Sequence, residues 1–310
     1  KTKTSLPQSF INKELKVNSA TLKKMEEEGY IVIGSKKRNV NPLLPILRSL
    51  GIENFNDVIK PKEYTLNAEQ ENAVNTFKCD FDICSRNTYL LHGITGSGKT
   101  LVFIKMIKYV ISKGYKAIVL IPEISLTYQT VLRMAEHFGE RVAIINSKLS
   151  KNEKFYQFER IKNDDADVII GPRSAIFAPV KNLGLIVIDE EHDSAYKNEN
   201  VPTFNVRDVA QKLSEITDAS LVLASATPTP ETYNRAMEKE IKLLELKTRA
   251  KNTALPKVSI VDMRNELKRG NRSIFSDKLR TLIEDRLRKH EQIMLFMKRL
   301  FKLCFMQILR

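Results

Sequence analysis

The segment Gly93-Ile-Thr-Gly-Ser-Gly98-Lys99-Thr100 constrains this chain more than any other. It matches G-x-x-x-x-G-K-T, and it sits between an apolar run, Tyr89–Leu91, and an amphipathic stretch, Leu101–Ile111. A strand feeding a glycine-rich turn that opens a helix is the context this motif needs. The chemistry explains the residue types. Glycines let successive backbone N–H groups close around phosphate, and the helix N-terminus adds its dipole. Gly93, Thr95, Gly96, Ser97 and Gly98 are therefore predicted to cradle phosphates. Lys99 would reach the β- and γ-phosphates, and the Thr100 hydroxyl would ligate Mg²⁺.

A turn of this kind needs a sheet to carry it. Aliphatic runs recur at Ala117–Ile121, Val142–Ile145, Val168–Ile170, Leu185–Ile188 and Leu221–Leu223, separated by amphipathic stretches. Such runs suit strands buried on both faces, and the helices between them suit right-handed crossovers. The predicted fold class is α/β, a P-loop NTPase fold with a parallel sheet and helices on both faces. The run Leu185-Ile-Val-Ile ends in Asp189-Glu190-Glu191-His192. In the same sheet as a P-loop, Asp189 is placed beside the Mg²⁺ shell and Glu190 to polarise an attacking water. Leu223-Ala-Ser225-Ala-Thr227-Pro follows the next run; its hydroxyls can bond to His192 and Asp189, or Thr227 or Thr229 can simply cap a helix.

Charge is distributed unevenly. Residues 1–50 hold 10 basic and 4 acidic side chains, and residues 264–310 hold 13 and 5, whereas 51–263 hold 28 of each. Basic flanks around a neutral centre point to a polyanion such as nucleic acid. In the first flank, Phe10, Ile11 and Leu15 mark one helical face, and Ser19 would cap a second helix carrying Leu22 and Met25. Gly29 would end that helix, and Tyr30–Ile33 would form a strand. The pattern predicts a winged helix-turn-helix with Lys36, Lys37 and Arg38 on the wing; a plain helical hairpin is the alternative. The expected organisation begins with a partial winged helix over 1–45 and a linker over 46–63, with the α/β part from residue 64. Three cysteines, Cys79, Cys84 and Cys304, make no disulfide framework and have no Cys-x-x-Cys spacing, so no zinc site is expected. No apolar run is long enough to span a membrane, and no secretory h-region opens the chain. The first residue is not Met, which predicts further residues upstream.

P-loop, Asp-Glu-Glu-His and Ser-Ala-Thr in this order resemble the superfamily 2 helicases. Longer words narrow the resemblance: Leu66-Asn-Ala-Glu-Gln70, Ile121-Pro-Glu-Ile-Ser-Leu-Thr127, Gly171-Pro-Arg-Ser-Ala-Ile-Phe-Ala-Pro179, Asp189-Glu-Glu-His-Asp-Ser-Ala-Tyr-Lys197 and Ala224-Ser-Ala-Thr-Pro-Thr-Pro-Glu-Thr232. Over residues 8 to about 299 they are similar to the primosomal replication-restart helicases. The words after Asp189-Glu-Glu-His set the chain apart from other superfamily 2 motors such as restriction-type translocases. The resemblance implies a RecA-like first helicase lobe over 64–255 and the start of a second over 256–310, and an ATP-hydrolysing 3′→5′ DNA helicase with ATP and Mg²⁺ as cofactors. It also implies single-stranded and forked DNA, primosome proteins and single-stranded DNA-binding protein as partners, and a bacterial cytoplasmic, nucleoid-associated location. It makes Lys99, Asp189 and Glu190 catalytic. Gln70 would contact adenine, and His192, Ser225, Thr227 and Arg207 would couple hydrolysis to DNA. Pro122, Glu123, Thr127, Arg173, Ser174, Tyr196 and Phe204 would lie along single-stranded DNA, with ordinary core packing the alternative for Tyr196 and Phe204. Asn146, Pro172 and Asn205 stand where the family usually has His, Thr and His.

The family continues past the segment like Ser276–Met297 with Arg-Gly-Tyr, zinc-binding cysteines and the arginines of a second lobe. Back-translating Lys298–Arg310 and reading one base later yields Arg-Gly-Tyr and a Cys-x-x-Cys-Gly. Residues 300–310 are therefore expected to be out of frame. The chain is expected not to unwind DNA alone, and a non-catalytic DNA- and nucleotide-binding fragment is the alternative.

Overall fold

A computed structural model of the chain describes residues 11, 17–32, 65–123, 125–126, 128–147, 149–249, 257–298 and 304–309. The chain divides into two units, Lys1–Asn252 and Thr253–Arg310.

The first unit is built on a seven-stranded sheet. Its strands are β1 (Thr88–Gly93), β2 (Lys116–Leu120), β3 (Val142–Ile144), β4 (Val168–Gly171), β5 (Leu183–Asp189), β8 (Ser220–Ser225) and β9 (Lys242–Leu246), in spatial order β3-β4-β2-β5-β8-β1-β9. Every neighbouring pair is parallel, so all seven carboxyl ends emerge at one edge. Alternation along each strand divides the core. Tyr89, Leu91, Ala117, Val119, Leu185, Val187 and Val222 point to one face, where they meet Phe77, Val102, Phe103 and Met134. Leu90, Ile118, Leu120, Ile186, Ile188, Leu221 and Leu223 point to the other, against Ile161, Val206, Ala210 and Ala236. Helices α2 (Ala68–Asp82), α3 (Lys99–Ser112) and α4 (Tyr128–Phe138) cover the first face. Helices α5 (Lys151–Lys162), α6 (Val206–Thr217) and α7 (Pro230–Met237) contribute to the second. Burial on both faces is why the strands read as unbroken aliphatic runs. A short antiparallel hairpin, β6 (Lys197–Asn198) with β7 (Phe204–Asn205), lies between β5 and α6.

Edge strand β9 carries no β-branched residue and was not anticipated. It pairs with β1 from Tyr89↔Lys242 to Gly93↔Leu246. Lys242 Nζ reaches both carboxylate oxygens of Asp80 on α2 at 2.7 Å, and the Tyr89 hydroxyl donates to Asp80 at 2.8 Å.

In the basic N-terminal flank, α1 (Ser19–Glu27) forms as expected, but its cap is Asn18 rather than Ser19. Asn18 is extended and its side-chain oxygen accepts from Thr21 N at 2.7 Å, while Ser19 is already helical. Gly29, at φ +77°, closes the helix by donating to Glu26, and Tyr30 donates to Met25 at 2.9 Å. The expected strand does not begin there: Tyr30–Val32 forms no strand, and Tyr30 and Val32 face solvent. Phe10, Leu15, Ile33, Lys36, Lys37 and Arg38 lie outside the described residues.

The second unit contains α8 (Met263–Lys268), α9 (Asp277–Arg288, capped by Ser276) and β10 (Ile293–Lys298). Strand β11 (Cys304–Leu309) pairs antiparallel with β10, from Ile293↔Leu309 to Lys298↔Cys304. Glu266 ties α8 to the start of α9, accepting from Asp277 N and Asn271 Nδ2, each at 2.8 Å.

Candidate nucleotide site and its couplings

The glycine-rich loop leaves β1 at Gly93 and enters α3 through Gly98, which caps the helix at φ +86°. Gly96 is also left-handed, at φ +82°. These are conformations that only glycine adopts without strain. Gly93 is required for a different reason: a Cβ there would stand 2.5 Å from Ser97 Oγ and 2.9 Å from Leu246 Cβ. Lys99 is largely buried, and its ammonium donates to the Gly93 carbonyl at 2.9 Å, which holds it along the loop. The buried Ser97 hydroxyl has no hydrogen-bond partner among the described residues. Thr95, Gly96 and Ser97 form the turn, and Thr100 opens α3, half-buried.

Gln70 uses both ends of its carboxamide within the fold. Its carbonyl oxygen accepts from Asn67 N in a capping box, and its Nε2 donates to Ser97 O at 2.7 Å. With only 2% of its surface exposed, it ties the start of α2 to the phosphate loop. The same helix start is clasped to the end of β9, since Thr248 donates to Glu69 Oε2 through its N (3.0 Å) and its hydroxyl (2.9 Å).

Asp189 ends β5 opposite Ala224, and Leu91 faces the same Ala224 from the other side. Two strand spacings of about 4.8 Å therefore separate the Asp189 strand end from the strand that launches the loop. Burial, then the neighbouring Glu190 charge, push Asp189 up to about 6, with Lys99 pulling the other way. Glu190 is left-handed at φ +48°, a rare conformation outside glycine. Its N donates to Asp189 Oδ1 at 3.1 Å, and its carboxylate lies 3.6 Å from His192 Nδ1. His192 Nδ1 shares a 2.8 Å hydrogen bond with Ser225 Oγ, which also accepts from Thr227 N at 3.0 Å. Thr229, not Thr227, caps α7.

Two residues sit differently from expectation or were missed. Tyr196 is buried in the core: its hydroxyl donates to Asp189 O (2.7 Å), with Leu120 O also in reach (3.0 Å). Burial pushes that hydroxyl far above its ordinary range. Of its two sequence readings, stacking on DNA and packing in the core, the second holds, because the ring fills space among β-strand side chains. Glu191, given no role beforehand, is fully buried and receives Arg207 Nη1 at 3.0 Å and Thr229 N at 2.7 Å. No local signal distinguishes it from Glu190; its donors come from α6 and the turn before α7.

Of the remaining candidates, Pro122 and Glu123 follow β2 and Arg173 and Ser174 follow β4, across the sheet from the phosphate loop, while Phe204 lies on β7. Pro122 is buried, and Glu123 accepts from the Ser147 hydroxyl. Arg173 donates to Lys197 O at 3.0 Å, which ties this edge to the hairpin, and Ser174 is exposed. Phe204 meets Phe177 edge-on at 5.4 Å, and Phe177 is 59% exposed. Thr127 lies outside the described residues. Among the described residues no His/Cys/Asp/Glu cluster could hold a metal by itself, and no helix is long and apolar enough to cross a membrane.

A glycine-rich loop and a strand-terminal Asp-Glu pair, set two strands apart on a parallel sheet, define the class: a P-loop NTPase lobe of RecA-like architecture. The chain belongs to the family described as type III restriction enzyme, res subunit, whose model matches residues 63–230. It is similar to replication restart protein PriA of Bacillus subtilis (strain 168), 39% identical over 296 residues, covering 95% of this chain and 35% of that protein. The PriA protein of Chlamydia muridarum is 41% identical over 241 residues, covering 77% and 32%. The chain thus spans about a third of the length of these curated relatives. Among solved structures, RecG bound to a three-way DNA junction matches 73% of this chain and 28% of that one, at 23% identity and a TM-score of 0.45.

Proposed function

We propose that this chain is the nucleotide-hydrolysing first lobe of a replication-restart DNA helicase, together with the beginning of the second. The observation that carries the reading is the pairing of Lys99 and the phosphate loop with Asp189–Glu190 across β8. In it, Lys99 and the loop amides bind and orient the phosphates of ATP. Glu190 orients the attacking water and takes its proton. The hydroxyl of Thr100 and the carboxylate of Asp189 are hard oxygen donors that suit Mg²⁺. The elevated Asp189, buried beside a second carboxylate, is a setting where a divalent cation is the natural counter-charge. When bound, the ion would neutralise charge on the phosphate oxygens. Lys99→Ala should abolish ATP binding in calorimetry, and equal affinity in the variant would overturn the assignment.

The rest of the reading follows from the resemblance and from similarity to the restart proteins. DNA would run along Pro122, Thr127, Arg173, Ser174 and Phe204. The basic residues 1–45 would form a partial winged helix that adds phosphate contacts through Lys36, Lys37 and Arg38. Single-stranded DNA-binding protein, primosome proteins and a zinc site would belong to the longer protein, as would its nucleoid location. Residues 300–310 would be out of frame. Sequencing the gene decides that point: a neighbouring register that never encodes Cys-x-x-Cys-Gly would refute it.

A further inference from the structure

We propose that Glu191 is a positioning residue: it holds Glu190 in its left-handed conformation and fastens the hydrolytic segment to the hairpin Lys197–Asn205. The inference rests on the nucleotide-site reading above and extends it to a residue outside the phosphate loop and the Asp-Glu pair.

Three segments converge on this one carboxylate. Arg207, in the first turn after β7, donates to Glu191 Oε2 at 3.0 Å and to Thr229 Oγ1 at 2.9 Å. Thr229 N donates to Oε1 at 2.7 Å, and the Thr232 hydroxyl to Oε2 at 3.3 Å. The Glu191 amide donates to Ala224 O at 3.1 Å on β8. No part of Glu191 is exposed, while the Arg207 side chain is 29% exposed. A buried ion pair is a poor way to gain stability, since an apolar group of similar volume would do as well. What a carboxylate adds is direction, and here its donors fix the backbone immediately after Glu190.

That backbone needs fixing. Glu190 sits at φ +48°, a strained conformation for a side chain whose aim matters. Asp189 Oδ1 holds its amide, Asp193 N donates to its carbonyl at 2.9 Å, and Glu191 anchors the next residue. The hairpin is attached to the same segment at both ends. Its entry is held by the Tyr196 hydroxyl on Asp189 O, and its exit by Arg207 on Glu191. Asn205, the last residue of β7, caps α6 by accepting from Arg207 N at 3.1 Å, so the exit has little slack. A shift of the Asp189–Glu191 backbone on nucleotide binding therefore pulls the hairpin with it.

The test is hydrogen exchange on the whole 310-residue chain, with and without a non-hydrolysable ATP analogue and Mg²⁺. In the parent, nucleotide should slow exchange at least about threefold at amides 190–198 and 204–210. Glu191→Gln is nearly isosteric, and its half-buried partner Arg207 already reaches solvent with part of its side chain. It should bind the analogue within about threefold of the parent yet lose that protection change. Arg207→Met keeps most of the side chain's length but removes the Nη1 that donates to both Glu191 and Thr229; it should show the same loss and serves if Glu191→Gln folds poorly. The inference is overturned if nucleotide binds but leaves these amides unchanged in the parent, or if both variants transmit the change as the parent does. A parent that binds no nucleotide would instead sink the reading of the phosphate loop, and this proposal with it.

Discussion

A methyl group on Gly93 would have to displace both the Ser97 hydroxyl and the Leu246 side chain. The serine can rotate, but a Cβ–Cβ approach of 2.9 Å to Leu246 can be relieved only by moving β9 or the loop. Gly93→Ala should therefore destabilise the chain by about 1–3 kcal/mol, as overpacking does, and weaken ATP binding along with it. A thermal melt and calorimetry on one sample check both, and an unchanged melt would mean that β9 is free to yield. Residue identities in this loop were legible because the phosphate chemistry leaves few alternatives. Gln70 and Tyr196 were not legible in the same way. Their place in the sequence was clear, but whether each turned toward a ligand or into the core depended on Ser97, Leu120 and Asp189, all 7 or more positions away. Glu191 shows the limit most plainly, since its burial is set by Arg207 and Thr229, 16 and 38 positions along.

At the level of elements, the six strands foreseen as aliphatic runs all form, because burial on both faces leaves its mark on composition. Strand β9 escaped notice because Lys-Leu-Leu-Glu-Leu has no β-branched residue; pairing with β1 and the Lys242–Asp80 contact make it a strand. Helix α4 carries a titratable group of its own. Burial, followed by the charges of Lys108, Lys105 and Arg133, drives His137 down to about 4 from an ordinary 6.5. Its Nδ1 is buried with no hydrogen-bond partner among the described residues. In the unfolded chain this imidazole takes its proton first as pH falls, so its contribution is intact above about pH 6.5 and is lost progressively toward pH 4. Carboxylates titrate in the lower part of that window, so the comparison is with a neutral replacement. The melting temperature of His137→Gln should fall less steeply than the parent's between pH 6.5 and pH 4. Parallel slopes would show that the histidine stays neutral in both states or protonates freely in the fold.

For the whole molecule, the sheet order separates two chemistries. The strands bearing the phosphate loop, the Asp-Glu pair and Ser225 are β1, β5 and β8, whereas the candidate DNA contacts Pro122 and Arg173 follow β2 and β4. From β1 to β4 is four strand spacings, roughly 19 Å, with β8, β5 and β2 between them. The chain spans about a third of the length of its curated relatives, and the resemblance implies that the opposing arginines come from a second lobe. If that lobe completes the site, these 310 residues alone should hydrolyse ATP slowly and unwind no forked DNA, because losing an arginine finger costs on the order of 10³-fold or more. A gel-based unwinding assay with a coupled ATPase measurement tests this; turnover near about 10 s⁻¹, an ordinary enzyme's rate, would refute it.

The parallel order has one more consequence, for the chain as it is being made. Strand β1 lies between β8 and β9, and neither neighbour is synthesised until about 130 residues after β1. At roughly 5–20 residues per second on the ribosome, the apolar Tyr89-Leu90-Leu91 strand waits about 6–25 s with both edges open. Strands β2, β4 and β5 are meanwhile able to pair with one another. The phosphate-binding loop is thus early in the gene and late in the fold: a nascent chain stopped anywhere between β1 and β8 carries the nucleotide motif without the sheet that holds it in shape.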